Sequence, residues 1–181
     1  MNFVITEPLV LASGGHCEGS GYGCAMEVLS WTIGDKFTDF PEGANAALAR
    51  MVQVYNDEMG LRFGKHVALN GYVLRADHAM KAFEFALLTV GTNGPEVRLR
   101  LTEIWDAMRG ELGARDPIKT QFDLYEAAQC GQAEELRGQA EELLEGVLRS
   151  FRKHAKLDEP TIPNPSAIDA ALIRIREEAH V

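Results

Sequence analysis

Basic charge is scarce in this sequence. Eighteen lysines and arginines stand against 27 aspartates and glutamates in 181 residues, a net charge of −9 with histidine neutral. Such a surface repels phosphate backbones, which argues against nucleic acid as a partner unless a local basic patch compensates. The patches are short, as in Arg149-Ser150-Phe151-Arg152-Lys153-His154, and that run falls where a helix ends, a place that favours cations in any case. Cysteine is scarce too. Three residues, Cys17, Cys24 and Cys130, are an odd number without framework spacing, which argues against a disulfide scaffold and fits a reducing cytoplasm. No apolar run approaches the ~18 residues that a membrane helix needs. The segment Met1 to Pro8 lacks the basic start of a signal peptide. These absences predict a cytoplasmic protein with no membrane partner, acting on a protein partner or on itself. Strand-like runs are also lacking. Leu9-Val10-Leu11-Ala12 is the one candidate, and a lone strand has nothing to pair with.

What is present is helical patterning in a chain that is 46% hydrophobic and 25% charged, enough to bury a core without metals or disulfides. The spacing predicts a mainly α, compact multi-helix domain over 1–157. A proline-rich linker over 158–165 and a C-terminal helix over 166–181 follow, that helix packing on the body or on a second protomer. Within the body, helices are expected from Cys24 to about Ile33 and from Pro41 to about Met59. Others are expected from about Val67 to Val90, from Pro95 to about Leu112, and from Asp116-Pro117 to about Cys130. A long acidic helix from Ala133 to Leu157 carries Leu136, Ala140, Leu143, Val147 and Phe151 at three-four spacing. That stripe suits packing within the domain, with a dimer seam as the alternative. Trp31, Tyr55 and Trp105 fall on apolar stripes and read as core, whereas Asn56, Asp57 and Glu58 read as a solvated helix end.

One stretch is chemically unusual: Ser13-Gly14-Gly15-His16-Cys17-Glu18-Gly19-Ser20-Gly21-Tyr22-Gly23-Cys24. Apolar run, glycines, then helix is the order of an anion cradle, so Gly19, Gly21 and Gly23 are candidate ligand-binding positions for a small anion or nucleotide. No Gly-Lys-Ser/Thr ending and no dinucleotide spacing accompany them, and a loop needing positive φ explains the glycines equally well. A thiol at a helix N-terminus has a lowered pKa, so Cys24, His16 and Glu27 form the candidate catalytic set of a thiol-dependent hydrolase or transferase, with Glu18 or Asp39 able to orient the imidazole. The bland alternative makes Cys24 a small buried residue. His16, Cys17 and Cys24 with Glu18 or Glu27 are donor types that zinc accepts, but their spacing fits no finger and the deaminase Pro-Cys-x-x-Cys is missing, so no metal or other cofactor is assigned.

The strings Leu11-Ala12-Ser13-Gly14-Gly15-His16, Gly23-Cys24-Ala25-Met26-Glu27, Gly34-Asp35, Asp39-Phe40-Pro41, Tyr55-Asn56-Asp57 and Gly71-Tyr72-Val73-Leu74-Arg75-Ala76-Asp77 resemble a small family of proteins from actinobacteria and their bacteriophages. The resemblance covers about the first half of the chain and implies a bacterial or phage protein in a cytoplasmic setting. It supplies no mechanism. Relatives often carry cysteines shortly after the Asp-x-Pro motif, where this chain has Glu42-Gly43-Ala44-Asn45, so a metal set built on them would be incomplete here. The expected role is that of a non-enzymatic interaction or accessory protein, acting through its acidic helical surface and self-associating.

Overall fold

A computed structural model of the chain describes residues 7–14, 16, 18, 20–67, 71–129, 133–161 and 163–177. It is mainly α. The helices among the described residues are α1 (Ala25–Thr32), α2 (Ala46–Phe63), α3 (Ala76–Leu88), α4 (Pro95–Leu99), α5 (Leu101–Leu112), α6 (Pro117–Ala128), α7 (Ala133–Ala155) and α8 (Pro165–Glu177), with two short strands, β1 (Lys65–His66) and β2 (Tyr72–Val73).

Contacts divide the chain into two units. The first takes Met1–Glu42, Val52–Leu87 and Thr161–Val181; the second takes Gly43–Met51 and Leu88–Pro160. Helix α2 therefore contributes its opening turns to the second unit and the rest to the first.

In the first unit α8 packs on α1, burying Ile168, Ala171, Leu172 and Ile175. Leu11, Met26, Leu29, Tyr55 and Phe83 are fully buried. The hairpin β1–β2 pairs Lys65 with Val73 and His66 with Tyr72, antiparallel. It corrects the expectation that Leu9–Ala12 has no partner. Ala12 bridges to Val73, Leu74 N–H donates to Leu11 O at 2.8 Å and Ser13 N–H donates to Tyr72 O at 2.9 Å. The expected helix over Val67–Val90 is accordingly shorter, because Tyr72 and Val73 pair in this hairpin; Gly71 has φ +79° and stands too close to Ser13 O for any side chain.

In the second unit α7 packs on α5 and α6. Ala140, Leu144, Val147, Leu148 and Phe151 line its buried face, opposite Ile104 and Met108 of α5 and Tyr125 of α6, all buried. Phe151 meets Trp105 edge-on, the ring centroids 5.5 Å apart. The stripe that could have formed a dimer seam thus serves its own unit at Ala140, Val147 and Phe151.

Caps explain the remaining boundaries. Helix α2 starts five residues after Pro41, because Asn45 Oδ1 accepts from Ala47 N–H at 3.0 Å and Leu48 N–H at 3.4 Å. It runs through Gly60 rather than stopping before it. A Cβ there would lie 2.5 Å from Ser13 Cβ, so the glycine is needed for close approach and not as a stop. Asp116 Oδ1 accepts from Lys119 N–H at 3.1 Å, with Pro117 in the first turn of α6. Arg100, at φ −109° and ψ 12°, separates α4 from α5, where one continuous helix was expected. Helix α8 is capped by Asn164, whose Oδ1 accepts from Ser166 N–H at 3.0 Å; further along, Asp169 Oδ1 accepts the Glu7 N–H at 3.0 Å.

Candidate functional site

The candidate catalytic set lies entirely in the first unit, at the start of α1. Cys24 is the N-cap, with extended backbone at φ −79° and ψ 173°. Its sulfur accepts from the backbone N–H of Glu27, and the Glu27 carboxylate accepts from the backbone N–H of Cys24 at 2.7 Å. This is a reciprocal capping box with a thiol in the place usually taken by a hydroxyl. The same oxygen, Glu27 Oε2, accepts from His16 Nδ1–H at 3.0 Å. An ionised carboxylate oxygen only accepts, so a charged Glu27 assigns the donor role in this pair to His16 Nδ1. The His16 and Glu27 side chains are only 2% and 4% exposed. His16 Nε2 is buried and makes no hydrogen bond.

Glu27 therefore orients the imidazole. Glu18 instead pairs with Arg174 at 3.3 Å on the surface, and the Asp39 carbonyl accepts from Gln53 Nε2 at 2.8 Å. A carboxylate–imidazole pair of this kind resembles the base and orienter of a catalytic triad. The nucleophile is not in keeping. Cys24 is 3% exposed. Burial pushes its thiol well above the ordinary thiol range, the neighbouring Glu27 charge pushes it further, and the backbone N–H groups of Glu27 and Met26 only partly oppose them. The lowered pKa expected from the helix N-terminus is thus overturned by desolvation and a carboxylate one helical turn away.

Of the candidate anion positions, Gly21 has φ +78°. It sits in a turn where Ser20 Oγ donates to Tyr22 O at 3.0 Å. Gly23 has ordinary φ; a Cβ there would lie 3.2 Å from Ile175 Cδ1 of α8 and 3.7 Å from Glu27 Oε2. Its missing side chain makes room for the α1–α8 contact and for the capping carboxylate. Gly19, and Cys17 of the candidate zinc donors, lie outside the described residues.

The residues that hold this segment in place were read from the sequence as a solvated helix end. Asn56 is fully buried. Its Nδ2 donates to Ala12 O at 2.8 Å and its Oδ1 accepts from Ala25 N–H at 3.3 Å, so one α2 side chain spans the two ends of the glycine-rich segment. Asp57 Oδ1 accepts from Gly14 N–H at 2.7 Å. Glu58, 8% exposed, pairs with Arg62 at 3.1 Å. Tyr55 is core as expected, but Trp31 is half-buried, with the Arg174 guanidinium 4.0 Å from its ring centroid. Trp105 is half-buried as well.

Among the described residues no cluster of three or more histidine, cysteine, aspartate or glutamate side chains is placed to hold a metal ion, and no helix is long and apolar enough to cross a membrane. No protein-family model matches the chain, and neither a curated protein nor a solved structure is similar to it.

Proposed function

We propose that the protein works by binding protein rather than by catalysis, and that it self-associates in a bacterial cytoplasm, encoded by a bacterium or by a bacteriophage. The observation that carries this reading is Leu99, which is 87% exposed. It lines a cavity of about 700 Å³ in the second unit, together with Val97, Arg100, Ala155, Lys156 and Leu157. An apolar side chain left in water beside an apolar hollow gains when a partner covers it, by about 25 cal/mol for each Å² removed from solvent.

Charge selects the partner. The hollow carries Arg100 and Lys156 against one carboxylate, Glu96. The first half of α7 presents Glu134, Glu135 and Glu142 to solvent. A second copy offers that acidic face to the basic rim of the first. Burial of Cys24 and its raised pKa weigh against the thiol-dependent alternative.

Light scattering over a concentration series at low salt tests the proposal. The expected result is a mass that rises with concentration, falls as salt screens the charges, and drops to the monomer in Leu99→Glu and Lys156→Glu. A wild-type protein that stays monomeric throughout the low-salt series overturns it.

A further inference from the structure

The last two turns of α7 border a second cavity, of about 290 Å³, lined by Leu88, Arg149, Arg152, Lys153, Leu157 and Glu159. Three of its six lining residues are cations, in a chain whose net charge is −9. Arg152 is the buried one, at 7% exposed. Its Nη1 donates to Leu88 O at 3.1 Å and to Val90 O at 2.6 Å, and its Nη2 donates to Asp158 O. All three acceptors are carbonyls, so no carboxylate neutralises the guanidinium directly. A guanidinium has five N–H donors, and here the buried Nε–H has no acceptor. Burial lowers the pKa of this group, with Glu159 and Asp158 acting in the opposite direction.

The other two cations are half or more exposed and only partly engaged. Arg149 holds Glu145 at 2.9 Å through Nε and approaches Glu159 to 3.8 Å through Nη1. Lys153 holds Glu111 at 2.8 Å. Each keeps further donors for an anion.

We propose that this cavity is a phosphate site, taking the dianionic phosphoryl group of inorganic phosphate or of a small phosphate monoester, with Arg152 as its buried donor and Arg149 and Lys153 closing over the ligand. Glu145 and Glu111, which hold Arg149 and Lys153, lie outside the lining, where Glu159 is the one carboxylate among three cations, a balance that suits a dianion better than a monoanionic carboxylate. Leu88 and Leu157 give the cavity apolar walls against which the substituent of a monoester can lie. Glu159, whose side chain is 77% exposed, is the competing anion and turns outward when the ligand binds. The site is separate from the glycine-rich segment, which belongs to the first unit. It also gives the run Arg149 to His154 a role beyond matching the helix dipole.

Isothermal titration of the full chain at constant ionic strength and neutral pH tests this, with inorganic phosphate, phenyl phosphate and acetate as probes. Arg152 ties three carbonyls together, so the variants are Arg149→Gln/Lys153→Gln and Glu159→Gln, all at exposed side chains. Saturable phosphate binding is expected in the wild type. It should weaken roughly tenfold in the double variant, with unchanged circular dichroism, and tighten roughly threefold in Glu159→Gln, in line with partly exposed charge pairs. Tighter phenyl phosphate identifies a monoester as the ligand, and equal affinities identify free phosphate. No saturable binding in either wild type or Glu159→Gln, an unchanged affinity in the double variant, or acetate binding as tightly as phosphate overturns the proposal.

Discussion

A single oxygen of Glu27 accepts from both the Cys24 N–H and His16 Nδ1–H. A buried donor left without an acceptor costs about 1–3 kcal/mol, so these bonds anchor the glycine-rich segment to the first turn of α1. Burial, and after it the Glu27 charge, sets the chemistry of Cys24. Its folded-state pKa is raised, so the stability that goes with the neutral thiol is complete below the unfolded thiol pKa and is lost as pH rises toward the folded one. Near neutral pH Cys24 should resist a thiol-reactive probe in the native state and label at the rate of free cysteine once denaturant unfolds the chain. Cys17→Ser/Cys130→Ser is the background in which to measure it. Native labelling as fast as free cysteine would remove the argument for a structural thiol.

Among the elements, α5 and α7 are tied by Glu111. Its carboxylate accepts from Lys153 Nζ at 2.8 Å, Ser150 Oγ at 2.9 Å and His154 Nε2 at 2.7 Å. These bonds, Lys153 foremost, hold its carboxyl down at about 2 rather than 4.5. A lowered carboxyl pKa stabilises above the unfolded value and ceases to do so as the group takes up a proton. The wild type should therefore melt above Glu111→Gln at neutral pH, and the margin should close as pH falls from about 4.5 toward about 2. Calorimetric melts of both proteins across that range check it; a margin independent of pH would show that the charge is not what matters.

Elements with strong local signals were legible. Asp116-Pro117 placed the start of α6, and the acidic-to-basic gradient of α7 placed that helix, because caps and dipoles act within a turn. The β1–β2 hairpin was not legible. Its strands are two residues each, too short to alternate, and they form because Ser13, Gly60, Gly64 and Gly71 allow three backbones to meet. A Cβ on Gly64 would lie 2.4 Å from Gly60 O and 2.5 Å from Val73 O. Glycine tells a reader that a tight place exists, not what fills it. At the site, His16, Cys24 and Glu27 could be named from the sequence as candidates, but nothing in their spacing showed that one Glu27 oxygen would hold both His16 and the Cys24 N–H. Burial of Cys24 was the bland alternative for that residue and is what the fold shows; the burial of Asn56 was not legible, since it depends on segments distant in sequence.

At the scale of the whole molecule, the first unit is assembled from three stretches of chain, with α1 and α8 among its parts. Ile175, 5% exposed, reaches Gly23 beside the capping box. Removing everything after Pro160 should therefore strip α1 of its cover while leaving α5, α6 and α7 with their own packing. Two-probe melting tests this. Trp31 fluorescence should shift to the red and lose its cooperative transition, whereas the circular dichroism of the remaining helices keeps one; an unshifted tryptophan would mean that α8 is dispensable to α1.

The pairing of α1 with α8 also has a cost in time. At ~5–20 residues per second, the stretch from Ala25 to Pro165 takes roughly 7–28 s to synthesise. Throughout that interval the nascent α1 presents to the cell the apolar surface that α8 will later cover. During each round of translation the Cys24 thiol is therefore open to oxidants and chaperones, to which the finished fold denies access.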